Sequence, residues 1–181
     1  MRLGSKSVAL ISTFTALGLA LRVAKNLATS VQFVNIPLLF GFLAAFFAGP
    51  RSGFLTTALI YLLSDLFILP GVWTITNMVL GGLAAAAFGA ASNLIRTFEH
   101  RFALAFLLCF LFDVSSSVLL YVFFGAPLVQ ALIVGVVGLF LPVMGGYLIG
   151  VGPLTEFTTA LLSVLLADRL RKIFGKEIEK N

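Results

Sequence analysis

Charged residues are scarce in this sequence. Only 10% of the 181 residues are Asp, Glu, Lys or Arg, whereas 60% are hydrophobic, and the mean hydropathy is +1.12. Soluble domains carry about 25% charged and about 45–50% apolar residues, and a chain of this length cannot hide so much apolar surface in one core. A water-soluble protein is therefore excluded, and the sequence predicts a single integral-membrane domain over residues 1–181.

Cysteine and histidine are almost absent as well. Cys109 is the only cysteine and His100 the only histidine, which excludes a disulfide framework and a Cys or His metal cluster. A Ser–His protease would need its histidine at membrane depth, whereas His100 falls in a short polar stretch between two apolar segments. The sequence also has no Gly-rich phosphate loop. We therefore expect no catalysis, no ATP hydrolysis by this chain, no metal and no cofactor.

The net charge of +5 does not indicate binding of nucleic acid. The basic residues lie at the ends of apolar segments and in the C-terminal tail, which is typical of membrane orientation signals. If both termini are cytoplasmic, only Arg22 and Lys25 of the 12 basic residues lie outside. The sequence thus predicts a multi-pass protein of the plasma membrane with both termini in the cytoplasm and no nucleic-acid partner.

Apolar segments follow one another along the whole chain, at about 8–25, 34–49, 52–70, 74–95, 102–124, 127–151 and 153–171. An α-helix needs about 20 apolar residues to cross ~30 Å of hydrocarbon, and these runs do not alternate as strands of a membrane β-barrel would. The predicted fold is therefore an all-α, polytopic membrane helical bundle. Seven crossings would place the basic C-terminal tail outside, so six transmembrane helices are predicted. Segment 127–151, which contains Pro127, Pro142 and several glycines, is expected to be re-entrant or broken.

Three acidic residues, Asp65, Asp113 and Glu156, lie inside apolar runs. A carboxylate at the bilayer centre costs at least ~2.5–3.5 kcal/mol on insertion scales, so each is a functional candidate. In the six-helix topology the polar residues converge on the outer half of the bundle, which suits capture of a small molecule. The candidate substrate-binding residues are Asp113, Asp65, Asn77, Trp73, Glu156, Asn35, Arg22 and Tyr121.

Structural roles remain open for some of these candidates. Trp73 can equally be an interfacial anchor, and Asp65 or Glu156 can pair with Arg22 simply to neutralise charge. Trp73 and tyrosines such as Tyr61 offer stacking surfaces, which slightly favours a substrate with an aromatic ring. The substrate itself stays open among a cation, a zwitterion and a hydrogen-bonding heterocycle.

Small residues recur every four positions on the first helix. Ser12, Ala16, Ala20 and Ala24 share one face of that helix. Such stripes let helices approach each other closely in lipid. The stripe can therefore serve packing inside the bundle or docking of a partner.

The chain as a whole resembles an S component, the substrate-capture subunit of energy-coupling factor (ECF) vitamin transporters. The stripe Ala16-xxx-Ala20-xxx-Ala24 resembles the AxxxA motif of that family. Residues 47–53 (FAGPRSG) followed by 63–66 (LSDL) resemble its Gly-Pro turn and third-helix aspartate, and residues 77–82 (NMVLGG) resemble its fourth helix.

The resemblance implies a substrate-capture role in an importer of the ABC type. An S component binds a vitamin, a vitamin precursor or a metal ion in its outer half. It then docks, through residues that correspond to Ala16, Ala20 and Ala24, on a transmembrane T component that works with two cytoplasmic ATPases. Two other classes remain open: a membrane scaffold or cell-shape subunit without a ligand, and a stand-alone transporter or channel.

Overall fold

The computed structural model describes residues 4–29, 31–92, 94–95, 97–140 and 151–178. This part of the chain forms α-helices and one short 3₁₀ helix, without strands. The helices are α1 (Ser5–Ala28), α2 (Ile36–Ala48), α3 (Pro50–Ile68), α4 (Val72–Ser92), α5 (Phe98–Phe123), α6 (Leu128–Val137) and α7 (Val151–Ile178), with the 3₁₀ helix at Gly138–Phe140. The predicted all-α bundle is confirmed.

The helices have the length and the surface of a membrane protein. In the described part of the chain, α1, α3, α4 and α5 are long and apolar enough to span a membrane, whereas α2 and Leu128–Phe140 are apolar but shorter. Large apolar side chains such as Phe67, Phe123 and Leu128 remain exposed on the outside of the bundle. Lipid would cover them, because water-soluble folds rarely leave such extensive apolar surface uncovered.

Helix α2 lies at the centre of the bundle. It packs against α1, α3, α4 and α7, and all of its residues from Pro37 to Ala45 are buried. Its 13 residues rise only about 20 Å, so α2 depends on its neighbours rather than on lipid to cover its apolar side chains. Pro37 stands in the first turn, where its missing N–H costs no intrahelical hydrogen bond.

The Gly-Pro turn connects two helices that touch through their backbones. Gly49 has φ +84°, ends α2 and precedes α3, which begins at Pro50. A Cβ added to Gly41 would lie 1.7 Å from Thr57 Oγ1, and one added to Gly53 would lie 2.5 Å from Ala45 Cβ. Only glycine fits at these two contacts, so α2 and α3 form a tight hairpin that fixes the positions of the neighbouring helices.

Helix α7 begins at the end of the bundle where α1 ends. Thr155 and Thr158, near the start of α7, donate hydrogen bonds to the carbonyls of Gln32 and Phe33 in the α1–α2 loop. The backbone N–H of Asn35 donates to Thr159 Oγ1 at 2.8 Å. These contacts anchor the start of α7 to the connection that leads into the central helix.

The predicted broken segment is only partly described. Helix α6 has 10 residues and rises about 15 Å, which is too short to cross a bilayer core alone. It packs against α5, where a Cβ on Gly135 would lie 2.8 Å from Val118. Residues 141–150 of the segment lie outside the described residues, so the count of six crossings stays a prediction.

Candidate functional site

A cavity of about 160 Å³ lies at one end of the bundle. The second halves of α1, α3 and α5, the first turn of α2, the second turn of α4 and the α1–α2 loop form its wall. The wall residues are Arg22, Lys25, Asn26, Gln32, Val34, Asn35, Ile36, Pro37, Tyr61, Asn77, Phe112, Asp113 and Ser116. A water molecule needs about 10–15 Å³ of such cavity volume, so the cavity has the size for a small molecule and not for a peptide.

The cavity brings together several residues that the sequence singled out. Arg22, Asn35, Asn77 and Asp113 all line it, although they come from four different helices and helix ends. Asp65 stands directly behind Arg22, since its Oδ1 lies 2.8 Å from Arg22 Nη2. The predicted convergence of these polar groups at one end of the bundle is what the structure shows.

Arg22 is held in place from three sides. Its guanidinium pairs with Asp65, donates a hydrogen bond to Ser64 Oγ, and lies 4.7 Å from the centre of the Tyr61 ring. Ser64 and Asp65 are both buried. The pairing of Asp65 with Arg22, which the sequence left open, is therefore present, and it neutralises this cation inside the bundle.

Asn35 links the cavity to the central helix. Its Oδ1 accepts hydrogen bonds from the backbone N–H of Leu38, at 3.2 Å, and from the Tyr61 hydroxyl, at 3.0 Å. The first of these bonds caps α2. Because Oδ1 is engaged twice, the amide NH2 group of Asn35 is the part left to offer hydrogen bonds to a ligand.

Asp113 contributes the carboxylate of the cavity wall. No residue in the described ranges forms an ion pair or a side-chain hydrogen bond with this carboxylate. Its neighbour Phe112 stacks on Tyr61 with ring centroids 5.8 Å apart, and Ser116 Oγ donates to the backbone carbonyl of Asp113 at 3.1 Å. The helix is thus fixed by its neighbours while the acid itself faces the cavity.

Three of the predicted site residues lie elsewhere. The indole N–H of Trp73 donates to the carbonyl of Leu69 at 3.0 Å, so this ring closes the α3–α4 connection. Tyr121 is 44% exposed near the end of α5 and lies outside the cavity wall. Glu156 on α7 is 1% exposed, and neither of its carboxylate oxygens has a hydrogen-bond partner in the described part of the chain.

Some wall residues, above all Lys25 and Gln32, were not among the predicted site residues. Lys25 stands three residues after Arg22 and therefore on the same helix face, but its place at a helix end also suits an orientation signal. Gln32 belongs to the α1–α2 loop, where no periodic pattern marks a residue as facing a cavity. The three-residue spacing between Arg22 and Lys25 was the feature of the sequence from which Lys25 could have been predicted as a wall residue.

The small-residue stripe of α1 faces away from the bundle. Ser12, Ala16, Ala20 and Ala24 are exposed, whereas the buried residues of this helix are Ile11, Phe14, Thr15 and Gly18. At 100° per residue these two sets lie on opposite sides of α1. Packing inside the described bundle therefore does not account for the stripe.

The fold and the cavity define an all-α membrane bundle with a small polar site at one end. The chain matches no protein-family model, no curated protein and no solved structure.

Proposed function

We propose that this protein is the high-affinity substrate-capture subunit, or S component, of an ECF-type ABC importer in the plasma membrane. In this proposal it binds a vitamin-like small molecule in the cavity and hands it to a T component with two ATPases. The observation that carries the proposal is the cavity, in which ionic and amide side chains from α1, α4, α5 and the α1–α2 loop meet at one end of a largely apolar bundle.

The composition of the cavity wall favours a ligand over a purely structural role. Ionisable groups inside a membrane protein are costly and mark ligand or ion sites by default. Asp113 and Lys25 line the cavity without an ion-pair partner among the residues described. A scaffold without a ligand gains nothing from two such groups around an open space, whereas a bound small molecule satisfies both.

The packing beneath the cavity favours capture over conduction. Phe42 and Phe88, which lie deeper along α2 and α4, are almost fully buried and have ring centroids 4.7 Å apart. With Leu38 they belong to the same apolar core cluster. A channel or a stand-alone transporter needs a polar route across the bundle, and this apolar core supports a site that opens at one end only.

The stripe on α1 supports the existence of a membrane partner. Ala16, Ala20 and Ala24 leave a shallow, exposed helix face, which permits close approach of a second transmembrane helix. Because the sequence contains no phosphate-binding loop, energy for uptake would come from ATPase partners. We assign this face to the T component, with the cavity open to the outside and both termini cytoplasmic.

Native mass spectrometry of the gently purified protein tests the capture role, and co-expression with T-component and ATPase subunits from the same source tests the partnership. We expect one small molecule per chain, released on denaturation, and a complex that takes this molecule up in an ATP-dependent manner. A protein that never carries a ligand and never joins the complex would instead be a scaffold.

A further inference from the structure

The charges in the cavity do not all have partners. Arg22, Lys25 and Asp113 are the charged residues of its wall. Arg22 is neutralised by Asp65 at 2.8 Å. Lys25 and Asp113 form no ion pair with any residue that the structure describes. The cavity therefore presents one basic and one acidic side chain that have no ion-pair partner within the described part of the chain.

These two charges stand on separate walls. Lys25 belongs to α1, which packs on α2 and α3, whereas Asp113 belongs to α5, which packs on α4, α6 and α7. They are thus carried by helices that have no extensive contact with each other in the described part of the chain, and both helices contribute to the cavity wall. This separation explains why Lys25 and Asp113 line one cavity without pairing with each other.

We propose that the cavity binds a small zwitterion of amino-acid size, with its anionic group towards Lys25 and its cationic group towards Asp113. This inference rests on the proposed capture function. The NH2 group of Asn35 adds a donor. A zwitterion supplies both counter-charges and adds no net charge to the membrane interior, whereas a neutral heterocycle leaves both walls unpaired and a singly charged ligand leaves one.

Thermal unfolding of the full-length protein in detergent, after removal of any co-purified ligand, provides the test. The probes are the 20 L-amino acids, each compared with the amine that lacks its carboxylate and with the N-acetyl derivative that lacks its cation. We expect at least one amino acid to raise the Tm, and its two derivatives to bind at least about tenfold more weakly, because each loses one charge-assisted contact.

Two variants assign the two ends of the ligand. Lys25→Met should abolish the preference for the amino acid over its amine, and Asp113→Asn should abolish the preference over its N-acetyl derivative. The matched controls are Lys6→Met on α1 and Glu99→Gln on α5, since both residues are exposed and lie outside the cavity wall. Both controls should keep the wild-type preferences.

Stabilisation by neutral or singly charged probes as strong as by the amino acid would overturn the zwitterion assignment, and so would no stabilisation by any probe. Unchanged preferences in Lys25→Met and Asp113→Asn would do the same. None of these results decides the capture function, which depends on the co-purified ligand and on ATP-dependent uptake by the complex.

Discussion

At the scale of single residues, the buried charges fall into two kinds. Arg22–Asp65 and Arg101–Asp168 are ion pairs with N–O distances of 2.8 Å. Glu156, by contrast, is fully buried without a hydrogen-bond partner among the described residues. The first kind stabilises the bundle once both partners are present, whereas the second costs free energy.

Asp65→Asn should destabilise the protein by on the order of 3 kcal/mol, because it leaves the largely buried guanidinium of Arg22 without a counter-charge. The apparent free energy of unfolding in detergent measures this effect. Arg22→Gln in the Asp65→Asn background is the matched control and should recover much of the loss. A single variant as stable as the wild type would show that the pair is not a structural contact.

Glu156→Met should raise the apparent free energy of unfolding by about 1–3 kcal/mol, because it replaces an unpartnered buried carboxylate with an apolar side chain of similar length. For a chain of this size that is a Tm increase of roughly 2–4 °C per kcal/mol. Asp168→Asn is the comparison and should lower the Tm, since it breaks the pair with Arg101. A destabilised Glu156→Met would indicate a partner for this acid.

The polarity of a side chain allowed some of the cavity residues to be predicted from the sequence, but it did not identify others. Asp113 and Asn77 stand out because polar groups are rare inside apolar runs, and both line the cavity. Trp73 and Tyr121 share that rarity, but amphipathic rings at helix ends have a second use at the membrane interface. Lys25 was placed outside together with Arg22 but was not a candidate site residue, because a lysine at a helix end is also typical of an orientation signal.

At the scale of elements, the hydrophobic runs predicted the helices and their order along the chain, but not which helices pack against each other. The predicted segments 34–49 and 52–70 correspond to Ile36–Ala48 and Pro50–Ile68, because Gly49 and Pro50 mark the boundary between them. That α2 lies at the centre follows from close contacts at Gly41 and Gly53. Contacts between residues on different helices are not visible in a single sequence without homologues.

Ala16→Leu with Ala20→Leu should leave the bundle and its ligand affinity intact and prevent assembly with the T component. Both alanines are exposed on α1, so larger side chains meet no neighbour in the bundle but block close helix approach. Co-purification of the complex measures assembly. Leu21→Phe, on another exposed part of α1, is the control and should still assemble. A double variant that co-purifies normally would remove the stripe from the docking surface.

Cysteine labelling should place the end of α5 and the start of α7 on the same side of the membrane. The only native cysteine, Cys109, is buried and gives little background. Phe124→Cys and Leu154→Cys, at exposed positions, should react with an impermeant maleimide added from one face, and Lys6→Cys from the opposite face. Reaction of Phe124→Cys and Leu154→Cys from opposite faces would mean that segment 127–151 crosses the membrane.

At the scale of the whole molecule, the polar cavity and the exposed stripe occupy different parts of one apolar body. The cavity lies at the end where α1 finishes, while Ala16 and Ala20 lie along the side of the same helix. The proposed ligand site and the proposed partner surface are therefore separate. The sequence pointed to the two features separately, because polar residues inside apolar runs and small residues at every fourth position are independent patterns. The depth and shape of the cavity could not be predicted, because they depend on packing between helices.

This arrangement predicts that the protein alone binds its ligand but does not transport it. Below the cavity, Phe42 and Phe88 pack together in the apolar core of the described bundle, which opposes the passage of a polar molecule. Proteoliposomes that contain only this chain should bind the co-purified ligand and accumulate none of it. Uptake should require the T component, the ATPases and ATP. Flux through the chain alone would identify a stand-alone transporter, because a capture subunit lacks any means to release its ligand across the membrane.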